Sequence, residues 1–312
     1  MMPPPTPKRA PKSPAASPIS ASGASRPWPA VPAPSPGTPL LGSVAVTAPD
    51  RRLAAALAPV RERPTESAVL CDVDGTLAPI VARPEDARLL DGATEALVAV
   101  RERVRLLGFV SGRALADLER LVGLPGCAYA GNHGMELRPP GAKPRLADGV
   151  AEHVVAVATF AATWPPERLA AGDLRLEEKG ATLSFHARGA RDPVAADLLL
   201  AEIAAEARGH GLVPTAGREV LEVRPPVRVD KGTAVRDLLR DAGARVALYI
   251  GDDRTDADAW RALRRMRDEG SLDGAVAIAV TSAEVPAEVR EAADVEVDGP
   301  PGALDELRLI AH

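Results

Sequence analysis

The stretch Ala-Val-Leu-Cys-Asp-Val-Asp-Gly-Thr-Leu at residues 68–77 constrains this chain more than any other. A short apolar run, the length of one buried strand, stops abruptly at two carboxylates and a glycine. Runs of this kind, without polar alternation, fit strands of a parallel sheet covered on both faces. In open α/β sheets ligands sit just beyond the carboxyl ends of the strands, where Asp72 and Asp74 would stand. Two acids side by side in such a place are costly unless a cation or a proton compensates them. Gly75 lets the chain turn sharply behind them. The segment therefore reads as a carboxylate site for a hard metal ion. A calcium loop of the EF-hand type is excluded, because it needs glycine at its sixth position and glutamate at its twelfth. Counting from Asp72, the glycine comes fourth and the twelfth residue is Arg83. A solvated turn is the plainer reading of the tetrapeptide alone, and it has to be weighed against what lies downstream.

With 312 residues the chain has room for two domains, and its 46% apolar content is ample for a buried core. A net charge of −5 argues against a general nucleic-acid binder. Cys71 and Cys127 are the only cysteines, and both lie in apolar, strand-like runs. They read as buried thiols suited to a reducing cytoplasm, not as a disulfide framework. No apolar run approaches the roughly 20 residues of a membrane span, and no signal-peptide core lies near the start. Residues 1–48 are rich in Pro, Ala and Ser, with Lys8, Arg9, Lys12 and Arg26 but no acid. Such a segment cannot offset its ordering entropy by burial, so disorder is expected. Its prolines favour an extended polyproline conformation, which leaves a protein partner for the tail as an expectation beside a dispensable extension.

Helical spacing of Leu and Ala over 51–63 precedes a regular alternation. Strands are expected at 68–72, 104–110 and 127–130, with helices at 92–103 and 114–122 between them. This rhythm implies a parallel sheet with right-handed crossovers. It breaks between about 139 and 229. There a helix at 151–163, strands at 174–179 and 182–187, a helix at 193–208 and strands at 212–215 and 219–224 suggest an antiparallel sheet. The segment reads as a separate α+β module inserted into the first domain. After Asp230 the first rhythm returns, with a helix to 240, a strand at 246–250, a helix to 267 and a strand at 275–280. The expected organisation is a tail at 1–48, an α/β core from 49–138 and 229–312, and an insert at 139–228.

Polar groups fall at strand ends or helix starts of that core: Asp72 with Asp74, Ser111-Gly112-Arg113, Lys231, and Asp252-Asp253 with Asp256. Singly, each has a bland reading as a strand end, a helix cap or an acidic first turn. Jointly, and in this order, they supply what hydrolysis of a phosphate monoester needs. A carboxylate nucleophile splits one hard displacement into two easier ones. A protonated acid beside it serves the leaving oxygen. Magnesium bridges nucleophile and phosphoryl oxygens, and a hydroxyl, backbone amides and a lysine hold the rest.

These motifs resemble those of the haloacid dehalogenase superfamily of phosphatases, and within it the trehalose-6-phosphate phosphatase family. The first motif continues as Ala78-Pro79-Ile80, and Gly131-Asn132-His133-Gly134-Met135-Glu136 is similar to that family's G-x-H-G-x-E. Glu177-Glu178-Lys179 with Thr182, then His186-Ala187-Arg188, resemble its cap signature, and Gly217 with 222–225 resemble the segment before the lysine. The likeness covers roughly 66–310. Two departures are Ala257, where the family usually has Glu, and Trp260, where it has Phe. The resemblance implies a HAD-like Rossmannoid core with an inserted α+β cap, and magnesium-dependent hydrolysis of trehalose 6-phosphate. It implies Asp72 as nucleophile and metal ligand, and Asp74 as general acid and base with its carbonyl on the metal. Asp252 becomes the third ligand, with Asp253 and Asp256 holding metal-bound waters. Ser111, Gly112 and Lys231 would grip the phosphoryl group, Arg113 and His133 would line the substrate site, and Glu136, Glu177, Lys179, His186, Arg188 and Glu222 would meet sugar hydroxyls. Cap hinges are expected near 138–140 and 225–229. Rival readings are a phosphatase for sucrose phosphate or a glycosyl phosphoglycerate, a non-catalytic sugar-phosphate sensor on the same fold, and a scaffold built on the tail.

Overall fold

The computed structural model describes residues 48–81, 83–217, 219–282, 285 and 287–312. The disorder and partner expected of the tail lie outside these residues. Helix α1 (Ala48–Glu62) leads into β1 (Ser67–Cys71), followed by α2 (Ala93–Arg103), β2 (Leu106–Val110), α3 (Leu115–Val122) and β3 (Ala128–Gly131). A hairpin, β4 (Glu136–Arg138) and β5 (Arg145–Leu146), then runs back along β3. The chain crosses into the insert only after Leu146. The boundary drawn at 139, and the hinge placed at 138–140, therefore fall within a hairpin of the core sheet.

The insert contains α4 (Val154–Ala162), α5 (Pro166–Leu169), β6 (Arg175–Glu178), β7 (Leu183–His186), α6 (Pro193–Gly209), β8 (Val213–Gly217) and β9 (Val220–Arg224). The core resumes with α7 (Lys231–Ala242), β10 (Val246–Gly251), α8 (Asp256–Asp268), β11 (Gly274–Thr281), α9 (Ala287–Glu291), β12 (Val295–Asp298) and α10 (Gly299–Ala311). The eight strands of the core are ordered β12-β11-β10-β1-β2-β3-β4-β5, and the four of the insert β6-β7-β9-β8. From β12 to β3 every pairing in the core is parallel.

The apolar run before Asp72 shows why the core sheet is covered on both faces. Val69 and Cys71 point into a cluster with Leu97, Val100, Leu304 and Leu307 from α2 and α10. Ala68 and Leu70 point the other way, against Val235, Leu238, Trp260 and Leu263 from α7 and α8. The insert behaves differently. Leu176, Leu183, Phe185, Leu221 and Val223 face α4 and α6, with Phe160 and Trp164 edge-on to Phe185 at 6.4 and 6.3 Å. The pleat sends alternate residues to the opposite face. There Glu177, Ser184, Glu222 and Thr215 lie in register across all four strands.

Candidate active site

The core strand order changes direction at β1: the chain proceeds to β2 and β3 on one side and returns through β10 and β11 on the other. Such a switch point opens a crevice beyond the strand ends, and Asp72 directly follows β1. Its amide donates to Ile250 O at 2.8 Å, and the residue is 4% exposed. The chain then turns tightly, with Leu77 N and Ala78 N both donating to Val73 O at 2.8 Å. Gly75 lies at φ +87°, and a Cβ there would fall 2.2 Å from Asp252 Oδ2. Only glycine suits this turn, because its bare backbone lets the second acidic loop come close.

Lys231 is placed by helix capping. Asp230 caps α7 by accepting from Thr233 N, and Thr233 Oγ1 in turn accepts from Asp230 N. This reciprocal pair fixes the helix start and Lys231 as its first residue. The buried ammonium is 2.7 Å from Asp256 Oδ1, 3.3 Å from Asp72 Oδ1 and 3.7 Å from Asp253 Oδ1. Burial opposes its charge, but these carboxylates outweigh that and hold its pKa well above the usual lysine value.

Burial pushes the Asp72 carboxyl well above its ordinary range, with Lys231 opposing. Burial, then Asp256, pushes Asp252 up to about 7, against the hydrogen bond from Thr76 Oγ1 at 2.8 Å. Asp256, fully buried, rises to about 6 for the same first reason. Asp253 also bears a burial cost, but Lys231 and donors from Thr255 and Asp256 pull it below the usual carboxylate range. One lysine does not balance these acids, so the pocket lacks positive charge. Among the described residues, oxygens of Asp72, Asp252 and Asp256 lie within 4.8 Å of one another. An all-carboxylate set with excess negative charge suits a hard divalent cation such as Mg2+.

The three acids are not equivalent as ligands. Asp256 Oδ1 accepts from Lys231 Nζ and Tyr249 OH, both at 2.7 Å. Its Oδ2 accepts from the amides of Asp252 and Asp253, both at 3.0 Å. Four donors occupy its four lone-pair sites, so Asp256 orients the loop, while Asp72 and Asp252 keep oxygens free. Trp260 on α8 packs beside Tyr249 of β10. It is fully buried and donates Nε1–H to Tyr249 O at 3.2 Å, so the aromatic departure from the family pattern is packed and satisfied. Ala257 packs against the same apolar cluster.

Asp74 is held differently. Arg113 Nε and Nη2 grip its Oδ2 and Oδ1, both at 2.6 Å, and Arg113 Nη1 donates to Pro84 O at 2.9 Å. Arg113, expected on the substrate, is here the partner of the expected acid. Ser111 is buried at the end of β2, and its Oγ accepts from Arg113 N at 3.2 Å. Gly112 has His133 against it, and a Cβ would fall 2.6 Å from the imidazole Nε2. Burial lowers the His133 pKa to about 4, with Lys231, Arg224 and Lys179 acting in the same direction against Glu222. The ring is thus neutral at physiological pH. His133 Nε2 lies 3.6 Å from Glu222 Oε1, and both His133 Nδ1 and Glu222 Oε1 are buried without a hydrogen-bond partner.

Asp72, Asp74, Ser111, Gly112, Arg113, His133, Lys231 and Asp253 line a cleft of about 290 Å³, roofed by Glu177, Lys179 and His186 of the insert. An adjoining hollow of about 580 Å³ shares Val81, Pro84 and His186, and adds Arg83, Arg175, Arg188 and Glu219. His186 Nε2 and Glu177 Oε2 pair at 2.7 Å, a bond that lowers the Glu177 pKa. Glu136 stands outside both hollows. Its Oε2 accepts from Leu115 N at 3.0 Å, at the start of α3, and from Asn132 Nδ2. Thr76 and Asn132 lie within the first and the Gly131–Glu136 motifs, which give neither a role, and Tyr249 stands in an apolar strand. An isolated polar residue in apolar or glycine-rich surroundings gives no spacing signal of its own.

A central strand that delivers its acids to a switch point beneath an inserted sheet is the arrangement of haloacid-dehalogenase-like hydrolases. A solved protein of that description from Bacteroides thetaiotaomicron shares the fold at TM-score 0.56 and 15% identity, over 79% of this chain and 100% of that one. The affiliation is narrower than the fold: residues 70–301 match the family model for trehalose-phosphatase, and the chain belongs to that family. It is 37% identical over 203 residues to a trehalose-phosphate phosphatase of Mycobacterium avium, covering 63% of this chain and 51% of that protein. The chain thus spans about half the length of the curated relatives it matches. A solved trehalose-6-phosphate phosphatase related protein aligns at TM-score 0.63 and 25% identity, over 78% of this chain and 96% of that one.

Proposed function

We propose that the chain hydrolyses trehalose 6-phosphate to trehalose and inorganic phosphate, with Mg2+ held by Asp72, Asp252 and the Asp74 carbonyl. The observation that carries this reading is the buried Lys231, which reaches both the strand-end Asp72 and the acidic loop at the floor of a sugar-sized, polar-roofed cleft. An Asp72 oxygen attacks phosphorus, forming an Asp72–phosphate bond as the bond to the sugar 6-oxygen breaks. Asp74 gives that oxygen its proton, then takes one from the water that attacks the aspartyl phosphate and releases phosphate. For this, Arg113 must release at least one Asp74 oxygen. Lys231, the Ser111 hydroxyl and the Gly112 amide hold the phosphoryl oxygens. When bound, Mg2+ supplies charge neutralisation between the two anions. Glu177, Lys179, His186 and Glu222 offer hydroxyl partners on the roof, with Arg188 in the adjoining hollow. Among the described residues no helix is long and apolar enough to cross a membrane. The buried free thiols Cys71 and Cys127 fit a cytoplasmic setting.

Phosphate release from a panel of trehalose 6-phosphate, sucrose 6-phosphate, glucosyl phosphoglycerate and glucose 6-phosphate, with and without Mg2+, tests the reading. Preference for trehalose 6-phosphate that vanishes on chelation is expected. Equal rates across the panel would remove the substrate claim, and no turnover at all would favour a sensor.

A further inference from the structure

Asn132 stands where the family motif G-x-H-G-x-E places no required residue, yet it is fully buried and held at φ +49°. Its amide nitrogen donates to Lys179 O at 2.8 Å, and its amide oxygen accepts from Thr182 Oγ1 at 3.0 Å. Both partners belong to the turn between β6 and β7, across the boundary between core and insert. Between them, Ala181 is 2% exposed and packs into a small apolar cluster with the core's Met135 and the connector residues Ala147 and Val150. Lys179 Nζ reaches back to Gly112 O at 3.1 Å. Next to this turn, Glu222 of the insert approaches His133 at 3.6 Å without a hydrogen bond, and at the far end Arg188 Nη1 reaches Val81 O at 3.4 Å from a side chain that is 43% exposed.

One end of the roof is thus fastened by buried, fully paired groups, and the other rests on an exposed contact. We propose that Asn132 is a positioning residue: it pins the 179–182 turn to the core, so that the roof opens and closes by rotating about this turn. The consequence is local. Lys179 lies on the axis and keeps its height over Gly112 throughout, Glu177 moves little, and His186 and Arg188, nearer the loose end, travel furthest. Substrate would enter from the side of Val81 and Arg188. The pin follows from the hydrogen bonds of Asn132, whereas its effect on a sugar substrate rests on the function proposed above.

The test uses Asn132→Asp, which keeps the side-chain shape and tolerates the left-handed backbone. It replaces a donor by an acceptor facing Lys179 O and Glu136. Amide exchange of residues 179–183 should accelerate about tenfold while β1 is unchanged. KM for trehalose 6-phosphate should rise about tenfold, while kcat for p-nitrophenyl phosphate, which needs no sugar contact, falls less than about threefold. Thr182→Val removes only the hydroxyl and should move both readouts the same way by less, so the proposal stays testable if Asn132→Asp does not fold. Unchanged exchange in the turn, or equal losses on both substrates, would overturn it. The exchange measurement needs no substrate, so it decides on the pin even if trehalose 6-phosphate is not turned over.

Discussion

The two sheets of this protein use opposite parts of their strands. The central strands of the core sheet, β10, β1 and β2, are buried along their length and place Asp72, Ser111 and Asp252 just beyond their ends. The inserted sheet is apolar on one face and places Glu177, Ser184 and Glu222 along the other. Strand ends gather a few groups tightly around one point, which suits bond breaking. A strand face spreads groups at regular intervals, which suits reading a row of hydroxyls. On the function proposed above, reaction and selection would fall to separate layers.

If that division holds, damage to strand ends should abolish turnover of every substrate. Asp72→Asn should reduce kcat by at least about 10⁴-fold on both trehalose 6-phosphate and p-nitrophenyl phosphate. Residual hydrolysis above that level would place the nucleophile elsewhere. Lys231→Met should cost about 10²–10³ in kcat, again on both substrates. It should also destabilise the fold by about 3 kcal/mol in urea unfolding without Mg2+, because it strands the buried Asp72 and Asp256. A variant of normal stability would show that the lysine is not the counter-charge that the pocket geometry implies.

Changes on the strand face should act selectively. Glu177→Gln and His186→Asn should each raise KM for trehalose 6-phosphate by about tenfold and leave p-nitrophenyl phosphate within about twofold. Parallel losses on the two substrates would dissolve the distinction between layers. The smallest effect lies away from both. Glu306 on α10 is 3% exposed, its Oε2 has no partner, and burial, with a smaller push from Asp305, raises its pKa to about 7. The folded state thus binds this proton more tightly than the unfolded chain does. The site costs nothing below the ordinary glutamate value of 4.5, and stability falls as pH rises through about 7. Glu306→Gln should therefore melt a few degrees above the parent at pH 8 and level with it near pH 4, by differential scanning calorimetry, with activity unchanged.

The same contrast explains what the sequence revealed. Core strands were legible because a continuous apolar run ending in Asp or Ser has few other readings, and the insert was legible because closely spaced strand pairs mark an antiparallel sheet. The end of the chain was not. β12 is a four-residue edge strand with alternating acids, and α10 opens on Gly-Pro-Pro, which reads as a break although proline suits a helix start. The β4–β5 hairpin is too short to show a period, so the entry to the insert was placed early. Within the site the motifs indicated which residues matter but not how they pair. Nothing local to Arg113 shows that it grips Asp74, 39 positions away, or that Glu136 faces the start of α3. Such contacts are set by how close two loops come, a distance that no periodicity encodes.

The position of β1 has a further consequence. Three strands lie on one side of it and four on the other, so Asp72 hangs from the part of the molecule that fraying edges reach last. The roof is attached through one turn and two connecting segments. On gentle warming, discrimination between sugar phosphates should fade first, leaving for a few degrees an unselective catalyst whose reacting centre is still assembled.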